Sequence, residues 1–598
     1  MIFVIKAVFA IAILTVLFGL RHLDFGDAGT VEFIEGDHKT LVVYGPPLGG
    51  RASRPDLEKL IRESWPTADM LVPTYTHEWA SNIDPYHLTS MIESSIRTAY
   101  DKHSYEKIIL FGYSTGGLLL RKAYLWGHGL EDRPDARARG GHPWVDSVDR
   151  FVSLAAPNRG WPDHKPKNLN GYLYAIGYTA KQVGYLTGTG QFIASLMQGS
   201  PFVANMRVHW IDLFRTWESS HSRRLPLIIH LLGEKDELVD REDSIDFEVV
   251  APGNVIIKTL EGLSHAEIAA LLYREDGRTL SPAGEAIKMS LTRAREEFPP
   301  YWADKLGRLQ TDPAVTQLIF VMHGIRDEST WPAEVKRSIE KQIGDRAATV
   351  KVIPPLYRRF AMLPFLLYWD RQENVRWFMD QYIQARAMYP NVDTMDFIGH
   401  SNGTYILASA LQRYPVLKVR NVFFAGSVVP AHYDWATLMS GERVTGRVWN
   451  ICADKDWVVA IFPQFFQQIS DLMKLKAEPG FFDIGSAGFR GFRHGSGDEG
   501  RLLNLKYISG GHGAAVKIAM VEPIATYVAA DPNLDFVQLW RPGDRPEPSA
   551  LEFASNLSWL IWILGVSVIV AAGFLMYQFG RWWLLAYAVL MLGVLMTV

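Results

Sequence analysis

Two serines of this chain lie in G-x-S-x-G turns, a spacing that suits nucleophilic catalysis. Ser114 lies in KIILFGYSTGG, residues 107–117, and Ser401 lies in MDFIGHSNG, residues 395–403. A serine hydroxyl is a weak nucleophile at neutral pH, so it needs a base within hydrogen-bond reach, and the base needs an orienting carboxylate. The flanking glycines remove side chains that would collide in such a turn, and the N-terminus of the helix that follows favours developing negative charge.

An acid and a histidine follow each serine, in that order and each after a strand-like run. GEKDELV offers Asp236 and EGLSHAE offers His265 in the first half of the chain, whereas CADKDWVV offers Asp456 and SGGHGA offers His512 in the second. An isolated aspartate or histidine at such a position is usually a helix cap or a solvated loop residue. The complete order of serine, acid and histidine occurs twice, and it predicts two catalytic triads. The nearest alternatives for the acid role are Asp240 and Asp454.

The elements that must position these residues occur in the same order in both halves of the chain. Each half begins with an apolar strand that ends at glycine, residues 41–44 before Gly45 and residues 318–322 before the pair His323 and Gly324. A helical stretch follows, then the strand into the G-x-S-x-G turn and a further helical pattern. Three more strand-like runs complete each half, FVSLAAP, LIIHLLG and VIIKTLEG in the first and VFFAGS, VWNICA and LKYISGG in the second.

Strands that alternate with helices predict parallel, doubly wound sheets, so the expected fold class is α/β with two tandem domains. We expect the first domain over residues 30–300 and the second over residues 310–545. A linker is expected between about residues 297 and 315, where EEFPPYW precedes the charged stretch DKLGRLQTDP. Each domain then has roughly 250 residues, which is within the usual range.

Both halves resemble the α/β-hydrolase fold superfamily and are close in pattern to lipases and serine esterases. The motifs that carry the resemblance are GYSTG, LAAPNRG, GEKD and SH in the first half, and HG, GHSNG, DKD and GGHG in the second. The resemblance covers about residues 39–290 and 317–527. It implies the fold and a serine-hydrolase activity, but it implies no particular substrate.

The resemblance also implies where the oxyanion of the reaction would be bound. The family's second donor is usually the backbone N–H after an HG pair, which gives Ile325 beside Asn402 in the second half. In the first half two prolines follow Gly45, and proline has no N–H, so Leu48 or a neighbour must act beside Thr115. Loss of one donor costs about 2.7–4 kcal/mol of transition-state stabilisation. The first site is therefore expected to be slow, or to build its oxyanion hole differently.

Two apolar segments could surround the sites. Residues 158–222 lie between the first serine and its acid, and we interpret them as a cap that could bind an acyl chain or as a plain structural insertion. In the second half, RRFAMLPFLLYW at residues 358–369 could dip into a membrane surface or pack as core.

The N-terminus predicts a membrane segment. Residues 2–20 are apolar with Lys6 as the one charge, and a helix of that length spans about 30 Å of hydrocarbon. A cleaved signal peptide is the alternative, but a basic n-region and a small-x-small cleavage site are missing. We therefore expect an uncleaved anchor within residues 1–22.

The C-terminus predicts a transmembrane helical hairpin over residues 557–598. Residues 557–577 and 582–598 are apolar runs joined by a short turn at Gly580, with tryptophans near their ends, as in an aromatic belt. A pair of buried core helices is the alternative, although neither run has a polar face. The side of the membrane is not predicted, because long domains cross it largely regardless of flanking charge.

Composition excludes several classes of protein. The chain has 598 residues, of which 48% are hydrophobic and 21% charged, as in a globular protein with additional apolar segments. Its net charge is -3 and it has no basic stripe, so we expect no nucleic-acid partner. Cys452 is the one cysteine and excludes an internal disulfide. No metal-ligand set, phosphate-binding loop or dinucleotide fingerprint is evident, so no cofactor is expected.

These patterns together predict a membrane-anchored carboxylic-ester hydrolase that works through an acyl-serine intermediate. The expected partners are an ester or lipid-like small molecule and the membrane itself. One alternative is an acyltransferase that uses the same serine, histidine and aspartate chemistry. The other is one active hydrolase domain paired with a non-catalytic binding domain.

Overall fold

The chain forms two compact units, Met1–Thr311 and Asp312–Val598, here called unit 1 and unit 2. The predicted N-terminal anchor lies outside the described residues. The computed structural model describes residues 29–50, 54–75, 81–132, 140–162, 165–215, 217, 225–246, 254–299, 302, 311–325, 330–355, 362–474, 480–494, 500–529 and 549–597.

Unit 1 alternates strands with helices. Its strands are β1 (Thr30–Ile34), β2 (Thr40–Gly45), β3 (Asp69–Thr74), β4 (Lys107–Tyr113), β5 (Val148–Leu154), β6 (Leu227–Gly233) and β7 (Val255–Leu260). Its helices are α1 (Pro55–Ser64), α2 (Pro85–His103), α3 (Thr115–Gly127), α4 (Gly171–Thr187), α5 (Gln191–Ser195), α6 (Pro201–Arg215), α7 (Arg241–Ser244), α8 (Glu267–Ala270) and α9 (Pro282–Thr292), with short 3-10 turns at Pro143–Ser147 and Arg295–Glu297.

The sheet of unit 1 has seven strands in the order β1-β3-β2-β4-β5-β6-β7. Only the pair β1 and β3 is antiparallel, and the other pairs are parallel. Alternate residues of β2 face opposite cores, because Leu41 and Val43 pack with α2 and α3 whereas Val42 and Tyr44 pack with α1 and α9. Helices therefore cover both faces of the sheet, which explains why its central strands are continuously apolar.

Unit 2 repeats this alternation and then adds the C-terminal helices. Its strands are β8 (Gln317–Met322), β9 (Val350–Ile353), β10 (Met395–His400), β11 (Val419–Ala425), β12 (Val448–Ala453) and β13 (Leu502–Ile508). Its helices are α10 (Trp331–Ile343), α11 (Met362–Leu366), α12 (Tyr368–Met388), α13 (Asn402–Arg413), α14 (Trp435–Ser440), α15 (Trp457–Leu472), α16 (Ala487–Arg490), α17 (Ile518–Ala529), α18 (Ser549–Asn556), α19 (Ser558–Phe579) and α20 (Arg581–Thr597), with short 3-10 turns at Gly344–Ala348 and Ala514–Val516.

The sheet of unit 2 has six strands in the order β13-β12-β11-β10-β8-β9, and all of its pairs are parallel. Ile319 and Val321 of β8 belong to a core that includes residues of α10 and α17. Phe320 points to the other face, where its ring lies 5.5 Å from that of Phe378 on α12. The predicted fold class, α/β with mostly parallel sheets, is confirmed.

Three strands differ from the sequence expectation, which gave five strands to each half. The additional strands are β1, β3 and β9. β1 and β9 lie at sheet edges, where β1 is partly exposed and β9 has four residues, whereas β3 lies next to an edge and its apolar run, residues 70–72, is short and ends at Pro73. Such strands lack the continuous apolar run that marks a central parallel strand, so the pattern of hydrophobic residues does not reveal them.

The C-terminal apolar runs are the helices α19 and α20, and Gly580 between them has a φ of 126°. Among the described residues, Ser558–Phe579 is the one helix long and apolar enough to cross a membrane, judged by length and composition. The apolar part of α20, Arg581–Met591, is shorter. Tyr587 Oη donates to the Ile569 carbonyl at 2.9 Å, which ties the two helices together.

Candidate active sites

The first G-x-S-x-G turn places Ser114 between β4 and α3 in a backbone conformation that side chains rarely adopt. Its φ is 52° and its ψ is −123°. The Ser114 N–H donates to the Leu154 carbonyl at 2.9 Å, which fixes the turn to the neighbouring strand β5. A Cβ on Gly116 would overlap the backbone of Gly45, and one on Gly112 would overlap Gly117. These glycines are therefore needed for the turn to close against β2.

Three predicted residues of unit 1 form a continuous hydrogen-bonded chain. His265 Nε2 lies 3.0 Å from Ser114 Oγ, and His265 Nδ1 lies 2.8 Å from Asp236 Oδ2. An ionised carboxylate only accepts hydrogen bonds, so Nδ1 carries the proton and Nε2 accepts from the serine hydroxyl. All three side chains are buried. This is the arrangement in which an imidazole can take the proton of an attacking serine.

Both carboxylate oxygens of Asp236 accept hydrogen bonds. Asp236 follows β6, and its Oδ1 accepts hydrogen bonds from the backbone N–H groups of Leu238 and Val239, each at 2.9 Å. The alternative acid, Asp240, instead accepts from the Lys167 N–H at 3.0 Å. The structure therefore brings Asp236, and not Asp240, to His265.

Two residues that the sequence patterns did not mark fix the histidine. Tyr113 Oη donates to the His265 carbonyl at 2.7 Å, and Glu237 Oε2 accepts from the His265 N–H at 3.1 Å. Burial raises the pKa of Tyr113 to about 12, so the phenol keeps the proton that it donates. The one available signal was position, since Tyr113 precedes the elbow serine and Glu237 follows the acid.

The predicted oxyanion donors of unit 1 lie at a helix start and in a turn. Thr115 is the first residue of α3, where backbone N–H groups have no partner within the helix. The backbone of Gly45 and Pro46 packs directly against Gly116, which brings the end of β2 to the elbow. Leu48 lies in the turn that follows, closed by a hydrogen bond from the Gly50 N–H to the Pro47 carbonyl. Its role as the second donor stays a prediction.

The elbow of unit 2 has the same backbone geometry. Ser401 lies between β10 and α13 with a φ of 51° and a ψ of −120°, and its N–H donates to the Ala425 carbonyl at 3.0 Å. A Cβ on Gly324 would lie 2.8 Å from Ser401 Cβ, so the backbone before Ile325 packs against the serine. Asn402 is the first residue of α13. Both predicted oxyanion donors of unit 2 therefore belong to segments that contact this elbow.

The acid and the histidine of unit 2 also meet, but the serine does not join them. His512 Nδ1 lies 2.9 Å from Asp456 Oδ2, and Gly426, at a φ of 54°, leaves room for the imidazole. The alternative acid, Asp454, accepts from the Gly510 N–H at 2.7 Å and so fixes the loop that carries the histidine. Within the part of the chain that the structure describes, no hydrogen bond joins Ser401 to His512. In the described residues, unit 2 thus has a carboxylate–imidazole pair that is not hydrogen-bonded to its elbow serine.

The segment predicted as a cap contains α4, α5 and α6. Helix α6 is largely buried, whereas α4 exposes several large apolar side chains, Tyr172, Ile176, Tyr178 and Val183. Its start is tied to the acid loop, because Asn168 Nδ2 donates to the Asp236 carbonyl at 3.1 Å. An apolar helix therefore begins next to the hydrogen-bonded chain of unit 1.

A group of possible metal ligands also occurs in unit 1, at the start of the strands. Ligand atoms of His38, Asp69 and His103 lie within 4.8 Å of one another. The two imidazole rings are stacked, with centroids 3.9 Å apart and planes 14° apart, so their lone pairs do not converge on one ion. Burial raises the pKa of Asp69, but hydrogen bonds from Tyr105 and His38 outweigh burial and hold it below its usual value. Asp69 is therefore a buried carboxylate that is bonded to residues of the surrounding loops.

Comparison with known proteins gives only distant similarity. No protein-family model matches the chain, and no curated protein matches it. Among solved structures, a monoacylglycerol lipase from Paleococcus ferrophilus is 16% identical with a TM-score of 0.27, and covers 44% of this chain and 98% of its own. Est1E from Butyrivibrio proteoclasticus, bound to ferulic acid, is 12% identical with a TM-score of 0.27 and covers 44% and 92%. The NocB thioesterase domain is 13% identical with a TM-score of 0.25 and covers 44% and 99%.

Proposed function

We propose that this protein is a membrane-associated serine hydrolase of the α/β-hydrolase type, which cleaves carboxylic esters chiefly at Ser114. The observation that carries the proposal is the continuous hydrogen-bonded chain from Ser114 through His265 to Asp236 on a strained strand-to-helix turn. Strained backbone at a buried polar residue is typical of functional sites. An ordinary turn serine needs neither the strain nor the imidazole.

In the proposed reaction, Ser114 Oγ attacks the ester carbonyl carbon while its proton passes to His265 Nε2. Asp236 stabilises the imidazolium that forms. The Thr115 N–H, with Leu48 as the proposed second donor, binds the negative charge that develops on the carbonyl oxygen. The alcohol leaves with the proton from Nε2 and an acyl-serine remains. Water then attacks this ester by the same proton route and releases the acid.

Unit 2 is proposed to hold a second site, in which the hydrogen bond between serine and imidazole is not formed. It has the same elbow and the same carboxylate–imidazole pair, but the serine and the imidazole are not hydrogen-bonded. Catalytic hydrogen bonds are often long in the absence of substrate and tighten when it binds, so Ser401 stays the proposed nucleophile of this second site. The geometry favours the version of the proposal in which unit 1 supplies most of the hydrolysis, although the sequence pattern had favoured unit 2.

The proposed substrate is an ester with a lipid-like acyl part, and the proposed location is the membrane. Helix α19 supports the location because its length and apolar composition suit a membrane crossing. The exposed apolar residues of α4, next to the acid loop of unit 1, support the substrate class. Anchoring at the N-terminus as well is part of the proposal and rests on residues 2–20 of the sequence.

Labelling with a fluorophosphonate probe tests the nucleophiles. The full-length protein is compared with the variants Ser114→Ala, Ser401→Ala and the double variant. We expect Ser114→Ala to lose most of the labelling and Ser401→Ala to lose little. The double variant should lose all labelling, since the probe reacts only with an activated serine. Wild-type labelling of the double variant would show that neither serine is the nucleophile, and the proposal would be wrong.

A further inference from the structure

Helix α15 of unit 2 has three of its polar residues on the inside, whereas Gln468 is half-buried and Asp471 is exposed. Gln464, Gln467 and Ser470 are buried. Gln467 Oε1 accepts from the backbone N–H groups of Ala431 and Ser486, each at 3.0 Å, so the polar face is bonded to the body of the unit. Surface helices of water-soluble domains have the opposite orientation, with polar residues outward.

Several large apolar residues of α15 face outward, whereas the smaller Val459, Ala460 and Pro463 are buried. Trp457 at its start is 63% exposed, and Leu472 at its end is 82% exposed. Phe462 and Phe465 between them are half-buried, and Asp471 is the one charged residue of the helix. Positions 457, 461, 465 and 472 recur at helical spacing on one side of α15 and form an apolar stripe that Gln468 interrupts near its end.

The membrane-crossing helix α19 begins on this same stripe. The Trp562 ring lies 5.5 Å from the Phe465 ring and is stacked on it, and it lies 5.2 Å from the Phe462 ring. Gln468 holds the junction, because Ser558 Oγ donates to its Oε1 at 2.6 Å and its Nε2 donates to the Asn556 carbonyl at 2.9 Å. The first turn of α19 is therefore fixed to α15.

We propose that α15 lies in the surface of the bilayer that α19 crosses, with its outward apolar stripe in contact with lipid. The inference rests on the proposed membrane attachment, but it does not depend on the proposed chemistry. A bilayer entered by α19 begins beside Trp562, so the stripe lies at the same depth as the membrane boundary. Apolar stripes with tryptophan at one end are typical of helices that lie in that boundary.

With α15 in the bilayer surface, the candidate site of unit 2 would lie next to lipid. Asp456, which bonds His512, is also the N-cap of α15, where its Oδ1 accepts from the Val459 N–H at 3.0 Å. The exposed Trp457 follows it directly. The acid of unit 2 is thus joined without a linker to the helix that contacts the bilayer, and an ester resident in the membrane would approach the site from that end.

Fluorescence quenching in vesicles tests the inference with three variants of the full-length protein, each of which adds one cysteine to the native Cys452. Leu472→Cys probes the stripe and Leu564→Cys probes α19. Arg337→Cys is the control and lies on α10, which packs with α17 in the core that contains Ile319 and Val321 of β8. Burial raises the pKa of the native Cys452 to about 12, so this thiol should not react with the label. Each variant is labelled with a nitrobenzoxadiazole maleimide and reconstituted in phosphatidylcholine vesicles with or without doxyl-labelled lipid.

We expect doxyl lipid to quench the labels at positions 472 and 564 several-fold more than the label at 337. Quenching at 564 together with control-level quenching at 472 would overturn the inference and leave the membrane attachment intact. A label at 472 that is shielded from aqueous iodide but not quenched by lipid would also overturn it, and would indicate a second copy of the chain on the stripe. Absence of quenching at 564 would overturn the membrane attachment and the inference together. None of these readouts requires hydrolysis.

Discussion

Replacement of Asp236 by asparagine should inactivate the first site by moving the proton of His265 from Nδ1 to Nε2. Oδ1 of Asp236 accepts from the N–H groups of Leu238 and Val239, while Oδ2 accepts from His265 Nδ1. In Asp236→Asn the amide oxygen must keep the Oδ1 place, because an NH₂ group there would leave the buried Val239 N–H unpaired, at about 1–3 kcal/mol, and the part-buried Leu238 N–H as well. The NH₂ group then donates to Nδ1, so the proton moves to Nε2. An Nε2–H group cannot accept the proton of Ser114.

The size of the loss follows from the role of the tautomer. When the geometry is kept and only the tautomer is wrong, a serine triad loses about 10⁴-fold in kcat, which corresponds to about 5 kcal/mol. Binding should change little, since Asp236 is buried and lies behind the imidazole. We therefore expect Asp236→Asn to lower kcat by about 10³–10⁴-fold, with a much smaller change in KM.

The measurement is hydrolysis of a soluble chromogenic ester in a Ser401→Ala background, so that only the first site contributes. Asp240→Asn is the matched control, because this carboxylate accepts from the Lys167 N–H and lies on the same loop. The control should keep activity within about twofold, as expected for a change outside the site. If Asp236→Asn kept a tenth of the activity, or if the two variants lost equal amounts, the assignment of the acid would be wrong.

Two further predictions concern the packing and the pH dependence of unit 1. Gly116→Ala should abolish labelling at Ser114 and destabilise unit 1 by about 1–3 kcal/mol or more in denaturant unfolding, because the new Cβ would overlap the Gly45 backbone. Gly177→Ala is the control and should be neutral or slightly stabilising, because a Cβ at Gly177 meets nothing within 4 Å. Burial lowers the pKa of His230 to about 3. Below about pH 6.5 the imidazole is therefore protonated in the unfolded chain but stays neutral in the folded unit. The contribution of His230 to stability should therefore fall by about 1.5–2 kcal/mol from pH 6.5 to pH 5, and His230→Gln should remove that part of the slope, while His209, whose pKa burial also lowers, keeps its own part. An unchanged slope in His230→Gln would refute the role of His230.

Much of the architecture follows from local pattern. Central strands such as β4 and β10 are buried on both faces, so their apolar runs mark them in the sequence. The same logic fails at the edges of the sheets. β1 has no fully buried residue, β3 contains Pro73, and β9 has four residues, so no periodic signal identifies them.

The candidate sites separate what chain order predicts from what side-chain packing decides. The order of serine, acid and histidine predicted that the three loops meet in each unit, and the structure joins all three in unit 1 and the acid and histidine in unit 2. The sequence assigned Asp456 and kept Asp454 on the same loop as the alternative, and the structure bonds Asp456 to His512. The sequence also favoured unit 2 on its backbone donors. The missing contact between Ser401 and His512 depends on where one imidazole comes to rest, which no sequence pattern encodes.

The shared elbow geometry has a consequence for how the second site could be switched on. A serine held at a positive φ costs about 1–3 kcal/mol, and unit 2 maintains that conformation although, among the described residues, no hydrogen bond joins Ser401 to His512. In the proposed second site the elbow backbone therefore already has the conformation that catalysis would require. The His512 side chain, which is 21% exposed and bonded to Asp456, is the group that would have to move toward Ser401. Substrate binding at this proposed site would then depend on a side-chain movement, with the strained turn formed beforehand.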